Sequence, residues 1–287
     1  MHRGWSGSVV LLLLAAVLPT PAALAAALDP EILGALQARR VLVIGATGRN
    51  GGAIVAALEA AGAKPRAMVR DLARAQEKAG PGVVRDWVIG DLRDPASLEA
   101  ALQGVDVVIN AAATTQMQGP NGTAAVDRDG TRNLIAAAKR ANVDRIVLIT
   151  GMIVPYPPQN LPPPMAAGLA DKRAAERLLE ASGLEYVILR PTGIQDRPGG
   201  LWAISLADSA VYRATPDEMA MRRGPQGATP APDAPPPAGT IARADLAEVA
   251  IVSAVDPQAR NRAFVITQGA GARTAPWREQ LARMPAD

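Results

Sequence analysis

The chain contains no cysteine, and its only histidine is His2. The first absence excludes disulfides, iron–sulfur clusters, thiolate-bound zinc and a cysteine nucleophile. The second leaves no imidazole beyond residue 2. A Ser–His–Asp triad and a histidine-ligated metal are therefore excluded for the body of the chain, and no metal site is expected. Aromatic residues make up only 3% of the 287 residues. The interior must be built from Val, Leu, Ile and Ala, and 49% apolar residues supply enough of them. The net charge is only +3, with no long run of Lys or Arg, so no nucleic-acid partner is expected. A small anionic ligand suits such a surface equally well. Chemistry has to rest on a bound cofactor or on Lys, Asp, Glu, Tyr, Ser and Thr.

Long apolar runs are also scarce. Val9–Leu18 is an uninterrupted run of ten, short of the roughly 20 residues a membrane-spanning helix needs. No stable membrane span is expected. His2 and Arg3 precede the run, Pro19 and Pro21 follow it, and Ala23-Leu24-Ala25 has the small-x-small form of a cleavage site. Residues 1–25 therefore read as a secretory signal peptide, with Ala26 as the new N-terminus. An uncleaved anchor or a mis-chosen start are the alternatives. Export to the periplasm or medium follows if the leader is real, and a cytoplasmic location if it is not. Residues 26–39 read as a lead-in helix, with Asp29 as N-cap and Pro30 at its first position.

From residue 40 onward strand-like and helix-like segments alternate. Strands are expected at Val41–Ile44, Pro65–Val69, Val83–Ile89, Val105–Ile109, Arg145–Thr150 and Tyr186–Leu189. Helices are expected at Gly51–Ala61, residues 72–79, Pro95–Leu102, Thr123–Ala141 and Ala166–Ser182. Strands with little polar alternation, each followed by a helix, imply a parallel sheet covered on both faces. The expected fold is α/β, a doubly wound parallel sheet of the dinucleotide-binding (Rossmann) type. Two proline-rich stretches, 155–164 and 224–239, should be non-helical. Near the end, "IARADLAEVAIVSAV" reads as a helix and "RAFVIT" as a last strand.

Within "VLVIGATGRNGG" (41–52), Gly45, Gly48 and Gly51 stand at spacing G-x-x-G-x-x-G between the first strand and the first helix of the alternation. The first glycine permits a sharp turn. The second lets backbone approach a pyrophosphate, and the third lets helix and strand pack closely. The helix N-terminus then offers free N–H groups and positive dipole to phosphates.

This turn, together with "MVRD", "GDLRDPASLEAAL", "VDVVINAAA", "VDRDGTRNLIAAAKRANVDRIVLIT", "DKRAAERLLEASGLEYVILRPTGI" and "IARADLAEVA", resembles the atypical short-chain dehydrogenase/reductase superfamily, in particular its NmrA-like, NAD(P)H-binding branch. The resemblance runs from Arg40 to Thr267. It implies one dinucleotide-binding domain over 40–287, with substrate-side insertions at 193–240. It implies a cofactor site formed by Gly45, Ala46, Thr47, Gly48, Arg49, Asn50, Gly51, Arg70, Asp91, Leu92, Asn110, Ala111, Ala112 and Lys172. Asp91 would accept from the adenine amino group, or else simply cap the turn it begins. Arg70 ends the second strand, where an arginine can grip a 2′-phosphate, so NADP(H) is expected over NAD(H). Asp71 is the counter-argument, since an acid there would bind a free ribose.

The pattern is incomplete at the chemistry. Related enzymes use a serine after the fifth strand and a Tyr-x-x-x-Lys on the next helix. Lys172 matches the lysine, but Gly168 stands where the tyrosine belongs, and Thr150 offers the one hydroxyl in the serine region. Catalytic candidates are therefore Lys172, Thr150 and Tyr156, the last in the proline-rich stretch. The expected activity is hydride transfer to a small apolar acceptor, a carbonyl, quinone or alkene, by a monomer or homodimer. The alternative is a non-catalytic NAD(P)H-binding redox sensor or assembly factor. Arg190 is expected to form a buried ion pair with the Arg243-x-Asp245 segment. Trp202, Met219 and Met221 suggest an apolar substrate side.

Overall fold

A computed structural model describes residues 28–80, 85–154, 162–208, 234–273 and 277–284. The leader, Tyr156, Met219 and Met221 lie outside the described residues.

The lead-in helix α1 (Pro30–Ala38) starts as the sequence dictates: the Asp29 carboxylate accepts from Glu31 N at 3.2 Å, and Pro30 needs no donor there. The alternation follows as β1 (Val41–Ile44), α2 (Arg49–Ala60), β2 (Arg66–Val69), α3 (Leu72–Ala79), β3 (Asp86–Ile89), α4 (Pro95–Ala101) and β4 (Val107–Asn110). Then come α5, β5 (Arg145–Ile149), α6 (Pro163–Glu180) and β6 (Glu185–Pro191). The helix α5 is not uniform. Its first turn, Ala124–Asp129, is wound as a π-helix, and Gly130–Arg140 is α-helical. Pro163 and Pro164 correct the expectation of a non-helical stretch to residue 164, because they open α6. A first turn has no use for their missing N–H groups.

The chain ends with β7 (Gly193–Gln195), β8 (Trp202–Asp208), β9 (Thr240–Ala242), α7 (Arg243–Val255), β10 (Arg262–Ala272) and α8 (Arg278–Leu281). The main sheet has the order β3-β2-β1-β4-β5-β6-β10-β8. The strands from β3 to β10 pair in parallel, and β8 joins β10 antiparallel. β7 and β9 form a separate parallel pair.

Each central strand feeds both faces. Val41 and Val43 of β1 pack with Ile32 and Leu36 of α1, Ile54 and Leu58 of α2, and Leu246 and Val249 of α7. Leu42 and Ile44 pack on the other side with Leu98, Leu134, Ala138 and Leu179 of α4, α5 and α6. Burial on both faces is why these strands carry no polar alternation. Going outward from β1, the connection turns one way to β2 and β3 and the other way to β4 and β5. The crevice at the carboxyl ends of β1 and β4 is therefore the topological switch point, where open α/β sheets hold ligands.

Candidate functional site

The glycine-rich turn leaves β1 at that crevice. Gly45 takes φ +79°, and a Cβ there would lie 2.9 Å from Ala112 N. A Cβ on Gly48 would lie 3.1 Å from the Gly45 carbonyl oxygen, and one on Gly51 would collide with that same carbonyl. Gly48 N donates to Gly45 O at 2.8 Å, and Gly52 N to Gly48 O at 2.8 Å. The N–H groups of Arg49, Asn50 and Gly51 stay outside the helix ladder, and no side chain caps them. Lys78 Nζ donates to Thr47 O, pinning the turn from α3.

Beside the turn opens a cleft of about 330 Å³. Gly45, Thr47 and Gly48 form one wall, Arg70 and Asp91 stand at the ends of β2 and β3, and Ala111 and Ala112 follow β4. Leu92 also lines the cleft, whereas Ala46, Arg49, Asn50 and Gly51, in the turn and at the start of α2, are not among its lining residues. A polar, backbone-lined cleft of this size beside uncapped N–H groups suits a phosphate-bearing dinucleotide.

The two basic and acidic candidates at the end of β2 behave differently. Arg70 is exposed on the cleft and has no ion-pair partner among the described residues. Asp71 spends its carboxylate as the N-cap of α3, accepting from Arg74 N at 3.0 Å. Asp91 is held by Arg93, whose backbone N and Nε both donate to Oδ1 at 2.9 Å. That bonding keeps the Asp91 carboxyl below the usual carboxylate range. Arg93 also reaches Asn121 Oδ1 at 2.7 Å across the cleft mouth. Leu92 is buried, and its carbonyl accepts from Asn133 Nδ2 at 2.9 Å.

Asn110, Thr150 and Lys172 do not line this cleft. They line a second, small cavity that shares Ala112 and Val126 with it. Asn110 Oδ1 accepts from Ala112 N at 3.1 Å and so shapes the bend after β4. Lys172 Nζ meets Asp127 Oδ1 at 2.8 Å, a contact that sequence reasoning missed. The two residues are 45 positions apart, and no spacing rule links them. The neighbouring Asp171 accepts from Thr123 Oγ1 at 2.8 Å and from Arg128 Nη1 at 3.0 Å. Two consecutive α6 carboxylate and ammonium groups thus clamp the π-turn of α5. Burial pushes the Asp127 carboxyl up despite Lys172, and Asp171 adds in the same direction.

The Thr150 hydroxyl donates to Glu176 Oε1 at 2.5 Å. Glu176 is also the partner of Arg190, with Nη2 to Oε2 at 2.7 Å and Nε to Oε1 at 3.1 Å. This corrects the expected pairing of Arg190 with the Arg243-x-Asp245 segment. β6 is covered on both faces: Ile188 packs on the α6 side, where Glu176 meets Arg190, while Val187 and Leu189 pack on the α7 side. Arg243 reaches Asn50 Oδ1 in the glycine-rich turn, and its Nε lies 2.5 Å from Asp196 Oδ1. Arg49 Nη1 joins the same Asp196 at 3.3 Å. Asp245 accepts from Gly200 N at 2.7 Å and from Gln268, with Arg273 at 3.5 Å.

No helix among the described residues is long and apolar enough to cross a membrane.

Strand order, glycine-rich turn and cleft together define a dinucleotide-binding α/β protein. A model of the NAD(P)H-binding family matches residues 45–257, and the chain belongs to that family. The "Uncharacterized sugar epimerase YhfK" of Bacillus subtilis is 27% identical over 233 residues, 80% of this chain and 94% of the relative. Sanguinarine reductase of Eschscholzia californica is 27% identical over 262 residues, 78% of this chain and 87% of the reductase. Among solved structures, a putative NAD-dependent epimerase/dehydratase from Bacillus halodurans superposes with a TM-score of 0.64. It is 22% identical, and the match covers 86% of this chain and 100% of that one. That likeness is one of fold.

Proposed function

We propose that the chain is an NADP(H)-dependent oxidoreductase that reduces a small apolar acceptor, a carbonyl, quinone or alkene. The observation that carries the cofactor choice is the Arg70 guanidinium, exposed at the cleft with no ion-pair partner among the described residues, beside an Asp71 whose Oδ1 caps α3. A 2′-phosphate would meet a free, planar donor there, and a bare ribose would find no free acid in Asp71. The glycine-rich turn would hold the pyrophosphate on the uncapped N–H groups of α2. Ala111 and Ala112 would let the dinucleotide lie against the end of β4. The bound nicotinamide supplies hydride chemistry, which Lys, Asp and Thr side chains alone cannot. Trp202, half-buried on β8, belongs to the region assigned to the acceptor.

The second reading is binding without turnover. Two observations favour it: the Thr150 hydroxyl is given to Glu176, and a side chain at Gly168 would run into Met117 Sδ at 2.9 Å. Titration of residues 26–287 with NADPH and NADH, followed by an acceptor panel, separates the two. Micromolar NADPH binding with NADPH consumption supports the oxidoreductase, and tight binding with no consumption across carbonyls, quinones and alkenes supports the module. Export through the leader is proposed on the pattern of residues 1–25. The mass of the protein recovered outside the cytoplasm, beginning at Ala26 or not, tests it. Sedimentation distinguishes a monomer from a homodimer.

A further inference from the structure

The small cavity next to the cleft holds a carboxylate oxygen that no group among the described residues satisfies. Asp127 Oδ2 is buried and has no hydrogen-bond partner. Its side chain is 9% exposed, and only Oδ1 is used, by Lys172. The cavity measures about 10 Å³, room for roughly one water. Asp127 and Lys172 are its titratable lining residues, and it adjoins the cleft at Ala112 and Val126.

The surroundings leave the pair free for a task. Arg128, on the same turn, is spent on Asp129 and Asp171. Asp171 is spent on Thr123 and Arg128, and Glu176 on Thr150 and Arg190. The remaining polar groups at the cavity, Asn110 and Thr131, carry no charge. One turn before Lys172, a Cβ at Gly168 would meet Met117 Sδ at 2.9 Å and Thr123 Cγ2 at 3.3 Å. A tyrosine at that position would require the Met117 side chain to move aside.

We propose that Asp127 and Lys172 form the proton-carrying unit of the site, in place of a tyrosine: Lys172 faces the acceptor, and Asp127 is the positioning residue that fixes its ammonium and resupplies its proton. This rests on reading the cleft as a nicotinamide dinucleotide site. During reduction an N–H bond of Lys172 breaks and an O–H bond forms on the acceptor, while the electron pair comes from the reduced nicotinamide. The Asp127 carboxylate takes a proton from the cavity water at Oδ2 and passes it to the neutral amine, so Asp127 ends as it began and solvent is the net proton source. Burial of Asp127 supports this, since it makes that carboxyl a better proton holder than a surface acid.

The test compares wild type with Asp127→Asn, Asp127→Glu and Tyr156→Phe in the mature chain. NADPH affinity is read by fluorescence titration, turnover of a para-quinone and of an aldehyde from pH 5 to 9, and melting temperature against pH without nucleotide. The expected result is an Asp127→Asn protein that binds NADPH within about threefold of wild type. Its kcat falls about 100-fold with altered pH dependence, and Asp127→Glu restores part of it. Without nucleotide, wild type should lose stability relative to Asp127→Asn as pH climbs above the ordinary carboxylate range. An Asp127→Asn protein with the wild-type pH profile overturns the proposal, as does loss of turnover in Tyr156→Phe alone. Wild type that binds NADPH but turns over neither acceptor overturns the proposal together with the oxidoreductase reading. Failure of wild type to bind either nucleotide instead removes the cofactor reading beneath it.

Discussion

Gly51 stands over the carbonyl of Gly45, so close that a Cβ at Gly51 would lie 2.1 Å from that oxygen. The third glycine of the motif is thus a packing requirement between α2 and the end of β1. The uncapped N–H groups of α2 point where they do because the helix can start this near the strand. Gly51→Ala should push α2 away, lowering stability by about 1–3 kcal/mol and NADPH affinity at least about tenfold. Thermal melting and nucleotide titration of the same preparation check both. Wild-type affinity in Gly51→Ala would show that the phosphates bind elsewhere.

Arg70 lies exposed on the cleft near Asp91, with no ion-pair partner among the described residues, while Asp71 caps α3. Arg70→Glu should weaken NADPH binding by about 10- to 100-fold, about 1.4–2.8 kcal/mol, and leave NADH binding within a few-fold. Parallel titrations with the two nucleotides check this. Equal losses for both would assign Arg70 to the shared part of the cofactor.

Arg190 and Glu176 form a buried pair, 9% and 5% exposed. Removing one partner strands the other charge, which costs about 3–5 kcal/mol in such sites. Glu176→Gln should therefore lower the urea midpoint markedly, whereas the exposed pair Arg140–Glu99, at 54% on both sides, should tolerate Glu99→Gln within about 0.5 kcal/mol. Similar midpoints for the two variants would contradict the buried assignment.

Asp245 is 1% exposed, and burial pushes its carboxyl up to about 6, against the donors from Gly200, Gln268 and Arg273. The folded state then holds its proton more tightly than the unfolded chain, whose aspartate titrates near about 4. The associated stability is present below that value and is lost as pH rises through about 6. Asp245→Asn should gain about 1–3 kcal/mol on wild type between pH about 4 and about 7. Melting curves across that range check it, and a constant difference between the two proteins would refute it.

The order of elements was legible because it depends on neighbours in sequence. Apolar tetrapeptides such as Val41–Ile44 read as two-sided buried strands, and Asp29, read as an N-cap, accepts from Glu31 N two residues on; that Asp71 caps α3 was not read. The cofactor cleft was legible for the same reason, since β1, the turn and α2 are consecutive. Within it, Thr47, Arg70, Asp91 and the Ala111–Ala112 pair line the cleft, and Asn110 and Lys172 line the smaller cavity beside it. Helix boundaries shifted where local chemistry was ambiguous, as with Pro163 and Pro164, which were read as loop and open a helix. The antiparallel edge strand β8 and the small β7–β9 pair carried no comparable local signal. Both depend on distant partners, as far apart in sequence as Trp202 and Ala272.

The sequence by itself determined the alternation of strands and helices, the glycine positions that bring backbone to phosphate, and the absence of thiol and imidazole chemistry beyond His2. Only the tertiary structure decided which charges meet. It gave Arg190 to Glu176 instead of the Arg243-x-Asp245 segment, spent Thr150 on that same glutamate, and set Asp127 against Lys172. Hydrophobic periodicity and turn chemistry act over a few residues and are written locally. Pairing of buried charges is settled by which helices share a face of the sheet, and that is fixed only once the core has packed.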